Sequence, residues 1–168
     1  MKWFDRKFEF TFPEEQLPSL IVRLESTPSR LEEMLRAAPP AALLTKPDGK
    51  WSAQEHAGHL LDLESLWQAR LEDFAANRQT LTAADLTNRK TNEAAHNTRP
   101  LAEILAAFGA ARRHLLASVE TLPPAAFSRT IPHPRLHQPM RLIDHLYFVA
   151  EHDDHHLATI REIIATEC

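Results

Sequence analysis

The residues that decide the fold run WSAQEHAGHLLDLESLWQARLEDFAAN, at positions 51–77. Ser52 is followed three positions later by Glu55, which is the spacing of a capping box at a helix N-terminus. Apolar residues then recur at helical intervals, at Leu60, Leu63, Trp67, Leu71 and Phe74. A helix with one apolar stripe has to bury that stripe against other elements. The stretch therefore predicts an amphipathic helix inside a helical domain.

Three other stretches show the same periodicity, at Glu14 to about Ala38, Pro100 to Val119, and about Met140 to Thr166. Pro28 is expected to kink or split the first, because proline lacks an amide donor. Residues 7–12 alternate polar and apolar, which predicts a short extended arm. We therefore predict an all-α fold, an antiparallel four-helix bundle in a single domain over residues 1–168. Long loops follow helices two and three.

Composition and charge narrow the function classes. The net charge of −4 gives no basic face for nucleic acid. Three glycines in the whole chain argue against a glycine-rich phosphate loop. The only cysteine, Cys168, allows no intrachain disulfide, and no stretch has the apolar length of a membrane span or a signal peptide. We expect a cytoplasmic protein with no nucleic-acid or membrane partner.

Ten histidines are the unusual feature of the composition, and four of them lie on the last predicted helix. The apolar stripe of that helix, continued through its middle, places His152 and His156 on the inward face. Residues at i and i+4 lie one turn apart, so two imidazoles can converge on one ion. His155 is rotated by about 100° from His156, and His145 could line a pocket.

A third ligand is available on helix two. His59 lies beside the core residue Leu60, and His56, one turn earlier, is its main rival. Burying imidazoles among leucines costs free energy unless they are paired or bound to metal. A solvated or hydrogen-bonded cluster remains the alternative to a metal site. The remaining histidines are predicted at the surface: His96, His114, His133 and His137.

Several other residues could assist such a site. Asp153 or Asp62 could orient a ligand imidazole through its second ring nitrogen. Arg112 or Arg113 could meet an anionic group of a substrate, although an exposed arginine pair is the commoner arrangement. Cys168 has no evident activating partner, so we do not expect it to act as a nucleophile.

Two motifs stand out when they are taken together. One reads WSxxExxxHLxDxE over residues 51–64, and the other reads EHDDHHLxxI over residues 151–160. Together they resemble the DinB-like family of bacterial bundle proteins, over most of the chain from about Leu31 to Ile164. The resemblance implies a four-helix bundle, often a homodimer, with zinc or nickel bound at one end.

By the family's pattern the metal ligands fall on His59, His152 and His156. Family members include transferases that use low-molecular-weight thiols such as bacillithiol, a mycothiol-dependent isomerase, and stress-induced proteins. The resemblance therefore implies a small-molecule substrate, which could be a thiol. It does not identify a catalytic residue. We expect a thiol-dependent S-transferase. The alternatives are a metal-dependent hydrolase that uses water, and a stress-response protein in which the metal only joins two helices.

Overall fold

The computed structural model describes residues 2–166, so Cys168 lies outside the described residues. Four long helices form the body of the protein: α1 (Leu17–Arg36), α3 (Ala53–Ala76), α5 (Leu101–Glu120) and α7 (Leu142–Thr166). Helices α1 and α3 each pack mainly against both α5 and α7. The prediction of a helical bundle is confirmed. None of the helices described between residues 2 and 166 could cross a membrane.

Helix α3 begins where its capping signal predicts. Ser52 accepts a hydrogen bond from the Glu55 amide, and the Glu55 carboxylate accepts one from the Ser52 amide. Both bonds satisfy amide donors that a helix N-terminus leaves free. The other end stops at Asn77, whose backbone is left-handed with φ of 53°. These two signals set the ends of the helix that carries His59.

Helix α1 continues through Pro28 as one helix, so the prediction that Pro28 splits it is wrong. Proline at this position has no amide to donate to the Leu24 carbonyl four residues earlier. Arg112 supplies the missing donor from α5, because its Nη1 donates to the Leu24 carbonyl at 3.1 Å. A side chain from a neighbouring helix therefore satisfies the acceptor that the proline leaves open.

The connections contain more regular structure than the sequence predicts. Short helices are α2 (Pro40–Leu44), α4 (Arg89–Glu93) and α6 (Pro124–Phe127). Strands β1 (Thr130–Pro132) and β2 (Pro139–Arg141) form an antiparallel pair with Ile131 opposite Met140. The expectation of no sheet is wrong, because three-residue strands are too short to show a period of two. Both Ile131 and Met140 are buried.

The N-terminal arm packs across α7. Trp3–Asp5 forms a single 3₁₀ turn, and the extended residues that follow bury Phe8 in the core. The Phe8 ring lies 5.1 Å from that of Phe148, and the Phe12 ring lies 4.9 Å from that of Tyr147. The arm thus covers α7 on the side where Trp3 meets the histidines.

Two apolar clusters fill the bundle, with a polar layer between them. One cluster surrounds Trp67, Phe74 and Leu146, and the other surrounds Leu31, Leu60 and Phe108. Each long helix carries a buried polar side chain at the level between them: Thr27, Glu64, Arg112 and Asp153. His152 precedes Asp153 on α7, so the histidines lie at the edge of this layer.

Candidate metal centre

The structure brings His59, His152 and His156 together. One potential ligand atom from each side chain lies within 4.8 Å of the other two, and all three residues are buried. The Nε2 atoms of His152 and His156 are 3.2 Å apart. Two imidazole nitrogens bound tetrahedrally to one zinc-sized ion lie about 3.3 Å apart, as follows from metal–nitrogen bonds of about 2.0–2.1 Å. This pair is therefore already at ligand spacing.

A relay of hydrogen bonds orients His59. The Thr91 hydroxyl donates to Asp62 Oδ2 at 2.9 Å, so its oxygen is free to accept from His59 Nδ1 at 3.0 Å. His59 Nδ1 accordingly carries the proton, and Nε2 keeps the lone pair that a metal needs. Asp62 is therefore linked to the candidate ligand His59 through Thr91 rather than by a direct hydrogen bond.

His56 holds the outer side of His156. Their Nδ1 atoms are 2.8 Å apart, which is a hydrogen bond between the two rings. When His156 offers the lone pair of Nε2 to a metal, its Nδ1 carries the proton and donates to His56. The main rival for the third ligand position is thus a hydrogen-bond partner of a ligand candidate.

The other two histidines of α7 lie outside the trio. His145 is fully buried, and its ring lies 5.8 Å from Trp67 and 6.1 Å from Phe74. His155 is half-buried, with its ring edge-on to His156 and tilted against Trp3. Neither residue brings a ring nitrogen into the group formed by His59, His152 and His156.

Burial keeps the clustered imidazoles neutral. Desolvation lowers the pKa of His59 to about 4, and the nearby His56 contributes in the same direction. The pKa values of His152 and His156 are lowered well below the usual value, again chiefly by burial. Neutral imidazoles are the form that binds metal. At neutral pH the three side chains need lose no proton to become ligands.

The donor set fits a divalent transition metal. Imidazole nitrogen suits zinc, nickel, copper and iron, and three protein ligands leave a coordination position for a substrate. If Nε2 of His152 binds the ion, its Nδ1 carries the proton; this buried atom has no hydrogen-bond partner among residues 2–166. Within the same residues, no carboxylate hydrogen-bonds any of the three rings directly. A bound ion would therefore keep most of its positive charge.

A pocket of about 1010 Å³ gives access to the three histidines. Two tryptophan side chains line the pocket next to these histidines. The ring centroids of Trp51 and His59 are 4.7 Å apart, and those of Trp3 and His152 are 5.0 Å apart. The same pocket is lined by four cationic side chains: Lys2, Lys50, Arg70 and Arg135. Its shape and charge suit a small molecule with apolar and anionic parts.

Two histidines predicted at the surface are buried instead. His96 Nε2 donates to Asp62 Oδ2 at 2.8 Å, and its ring packs against Gly58. A Cβ atom on Gly58 would lie 2.2 Å from His96 Cγ, so only glycine permits this approach. His133 is 2% exposed. The prediction failed because both residues lie in connections that fold back over the helices, whereas His114 and His137 are exposed as expected.

Arg112 and Asp153 have structural partners rather than roles in the pocket. Arg112 is buried and forms ion pairs at 2.6 Å with both Glu64 and Asp153. The suggestion that Asp153 orients an imidazole is therefore wrong, as is the expectation of an exposed Arg112 or one that meets a substrate. Arg113 is exposed and does not line the pocket.

Sequence reasoning missed Thr91, which completes the relay to His59. It lies in α4, five residues long, inside a polar connection without hydrophobic periodicity. No local signal marks it. Only the folding of this connection against α3 brings its hydroxyl between His59 and Asp62.

Replacing Thr91 with valine is expected to weaken metal binding by about 10- to 100-fold, the usual effect of losing a residue that orients a ligand. Valine keeps the shape but removes the acceptor for His59 Nδ1. Chelator competition measures the affinity. Thr98→Val is a matched control, because Thr98 is exposed and bonds only to the Ala95 carbonyl. Equal affinity in the wild type and Thr91→Val would contradict the relay.

Metal affinity is expected to change little between pH 8 and pH 5.5. The pKa of His59 is lowered to about 4, so protons begin to compete with metal only as pH falls toward that value. Ligands with an ordinary histidine pKa would be partly protonated by pH 6. Chelator competition at several pH values, corrected for protonation of the chelator, measures this. A tenfold loss of affinity between pH 7.5 and 5.5 would contradict the prediction.

Comparisons with known proteins agree with the geometry of the bundle. The family model of the DinB superfamily matches residues 23–160. No curated protein matches the sequence. The fold is similar to that of YfiT from Bacillus subtilis, with a TM-score of 0.81 and 22% identity, covering 96% of this chain and 93% of that one.

YfiT is described as "a probable metal-dependent hydrolase with an unusual four-helix bundle topology". At this level of identity the similarity shows a shared fold, and it supports the bundle architecture of the chain. The family model covers most of the sequence, including all three histidines of the cluster and the residues that orient them. The protein belongs to the DinB superfamily.

Proposed function

We propose that this protein is a metal-dependent enzyme in which His59, His152 and His156 hold one divalent ion, zinc or nickel. We further propose that it acts on a low-molecular-weight thiol as an S-transferase. The observation that carries the proposal is the approach of three neutral, buried ring nitrogens to within 4.8 Å of one another. A homodimer remains a prediction from the family.

Thiol chemistry suits a ligand set without negative charge. A divalent ion that keeps its positive charge lowers the pKa of a thiol that coordinates it and so favours the thiolate at neutral pH. The protein supplies three neutral imidazoles, and no carboxylate among residues 2–166 hydrogen-bonds to them directly. The pocket also carries excess positive charge near its wall, which favours an anionic substrate.

The residues around the histidines hold the three rings in place and restrict the access of water to them. Thr91 and Asp62 fix the ring of His59, and His56 fixes that of His156. The indoles of Trp3 and Trp51 cover the histidines on the pocket side. Excluding water strengthens electrostatic interactions and protects a reactive thiolate from side reactions.

The thiol proposal is tested with the cobalt-loaded protein. Glutathione, cysteine and bacillithiol are titrated in separate experiments while the visible and near-ultraviolet absorption is followed. Binding of sulfur to the ion is expected to produce a new sulfur-to-metal charge-transfer band with at least one thiol. The serine analogue of cysteine is the matched control, because it lacks the sulfur. A spectrum that no thiol changes would overturn the thiol assignment.

A hydrolase is the second candidate, and the fold shared with YfiT favours it. The same ligands could serve an ion that activates water. Such a reaction needs a base near the water, and the carboxylates that line the pocket, Asp85 and Glu162, are both exposed. Turnover of an ester, amide or phosphoester by the metal-loaded protein without any thiol, lost in Glu162→Gln or Asp85→Asn, would favour hydrolysis.

A further inference from the structure

Three buried hydrogen-bond donors in the pocket wall lack acceptors. Arg70 Nη1, Arg135 Nη2 and His133 Nε2 have no partner among residues 2–166, and all three residues line the large pocket. Arg70 is 1% exposed and His133 is 2% exposed. A buried donor without an acceptor is destabilising, and more so when the group is charged. Their grouping on one pocket wall therefore needs an explanation.

The tautomer of His133 makes it a donor toward the pocket. Its Nδ1 accepts hydrogen bonds from the backbone amides of Arg135 and Leu136, each at 3.2 Å. An imidazole nitrogen that accepts carries no proton, so in the neutral ring Nε2 carries it. His133 thus adds a neutral N–H to the two guanidinium groups.

Neither guanidinium forms an ion pair with a carboxylate within residues 2–166, although Asp73 is near enough to Arg70 to raise its pKa. Arg70 Nε donates to the Thr82 carbonyl at 2.9 Å, which leaves its Nη1 free. Burial lowers the pKa of Arg70 to about 10; the nearby Asp73 carboxylate opposes this shift, and the charge of Arg135 adds to it. Burial and both arginines lower the pKa of His133 to about 3. The two charges are close enough to affect one another, and the wall carries net positive charge.

This group lies one aromatic side chain away from the histidine cluster. The Arg70 guanidinium carbon is 5.4 Å from the centroid of Trp67, and the His152 ring is 5.6 Å from the same indole. Phe148 links the other two members of the group. Its ring centroid lies 5.2 Å from that of His133 and 5.8 Å from the Arg135 guanidinium carbon. One small molecule could therefore reach both groups.

We infer that Arg70, Arg135 and His133 form an oxyanion-binding subsite that holds a carboxylate or phosphate group of the substrate. Guanidinium groups bind such oxyanions through paired, charge-assisted hydrogen bonds. The anion would satisfy all three free donors and neutralise the buried charge. As part of a substrate site this inference rests on the proposed function, whereas binding of the anion does not.

A purely structural role explains only part of the arrangement. The bond from Arg70 Nε to Thr82 ties the chain after α3 to that helix, and Arg135 covers the ring of Phe148. Neither contact uses Arg70 Nη1 or Arg135 Nη2. A structural role also predicts no response to added anions, which makes the two explanations separable.

The test uses the full chain as purified, with its metal content measured. Malonate and inorganic phosphate are titrated separately up to tens of millimolar, with sodium chloride at matched ionic strength as the reference. Melting temperature and tryptophan fluorescence are followed, since Trp67 lies against Arg70. We expect at least one anion to raise the melting temperature and change the fluorescence. A response to malonate alone assigns a carboxylate, and a response to phosphate alone assigns a phosphate.

Arg135→Gln and Arg70→Gln are each expected to weaken this response about tenfold or more, the loss that follows removal of a charged donor. Arg113→Gln is the matched control, because Arg113 is exposed and outside the pocket. Metal content should be unchanged in all three variants. No response of the wild type to either anion, or equal responses in Arg135→Gln and wild type, would overturn the inference. An anion response in a chain that binds no metal would leave the subsite standing and refute the proposed function.

Discussion

Replacing Arg112 with methionine is expected to lower the free energy of unfolding by about 3–5 kcal/mol, the cost of leaving buried charges without their partner. Arg112 is 1% exposed and pairs with Glu64 and Asp153, both also buried. Burial alone would lower its pKa, but the two carboxylates raise that pKa above the usual value. The substitution also removes the donor to the Leu24 carbonyl, which Pro28 cannot supply because it has no amide hydrogen.

Urea unfolding at neutral pH measures this loss, which corresponds to a fall in melting temperature on the order of 10 °C for a chain of this size. Arg113→Met is the matched control, because the adjacent arginine is exposed and should change stability by less than about 0.5 kcal/mol. A third variant replaces Glu64, Arg112 and Asp153 together with Leu, Met and Leu. It should recover much of the loss, since no buried charge remains unpaired. A loss below about 1 kcal/mol for Arg112→Met would show that the ion pairs add little.

Local signals in the sequence account for the parts of the fold that are correctly predicted. The capping box at Ser52 and Glu55 needs only three residues of spacing, and it fixes the start of α3. Apolar periodicity then fixes which face of each long helix turns inward. The spacing of His152 and His156 follows from the helix itself, so their common face is readable without tertiary information.

The parts that the sequence could not predict depend on partners far along the chain. His96 is buried where Asp62, 34 residues earlier, accepts a hydrogen bond from its Nε2. Arg112 is buried because Glu64 and Asp153, at separations of 48 and 41 residues, neutralise it. Composition alone favours the surface for all these residue types. Charge pairing inside the fold overrides that preference, and no local pattern records it.

For the candidate ligands too, one part is set by local sequence and another by residues far along the chain. The sequence places His59 on the inward face of α3, yet the direction of its ring depends on Thr91 in a connection without periodicity. His56 is one turn away from His59 and competes with it on spacing alone. Its bond to His156 on α7 distinguishes the two, and this contact spans 100 residues.

Replacing His156 with alanine is expected to reduce the metal content from about one ion per chain to near zero after dialysis, with a loss of affinity of at least 100-fold. The estimate is a lower bound, because losing a residue that merely orients a ligand already costs about 10- to 100-fold. The variant removes the ring that lies closest to both neighbours, with centroids 4.7 Å from His59 and 4.5 Å from His152. Elemental analysis of tag-free protein and chelator competition measure the effect.

His155→Ala is the matched control, since His155 adjoins His156 but is half-buried and outside the trio. Its metal content should equal that of the wild type. The two apolar clusters on either side of the polar layer do not depend on the histidines, so His156→Ala should keep its helical circular dichroism. A large fall in melting temperature on removing the metal from the wild type would instead indicate an ion that mainly joins α3 to α7. If His155→Ala loses the metal and His156→Ala retains it, the ligand set is different and the proposed chemistry has to be placed elsewhere.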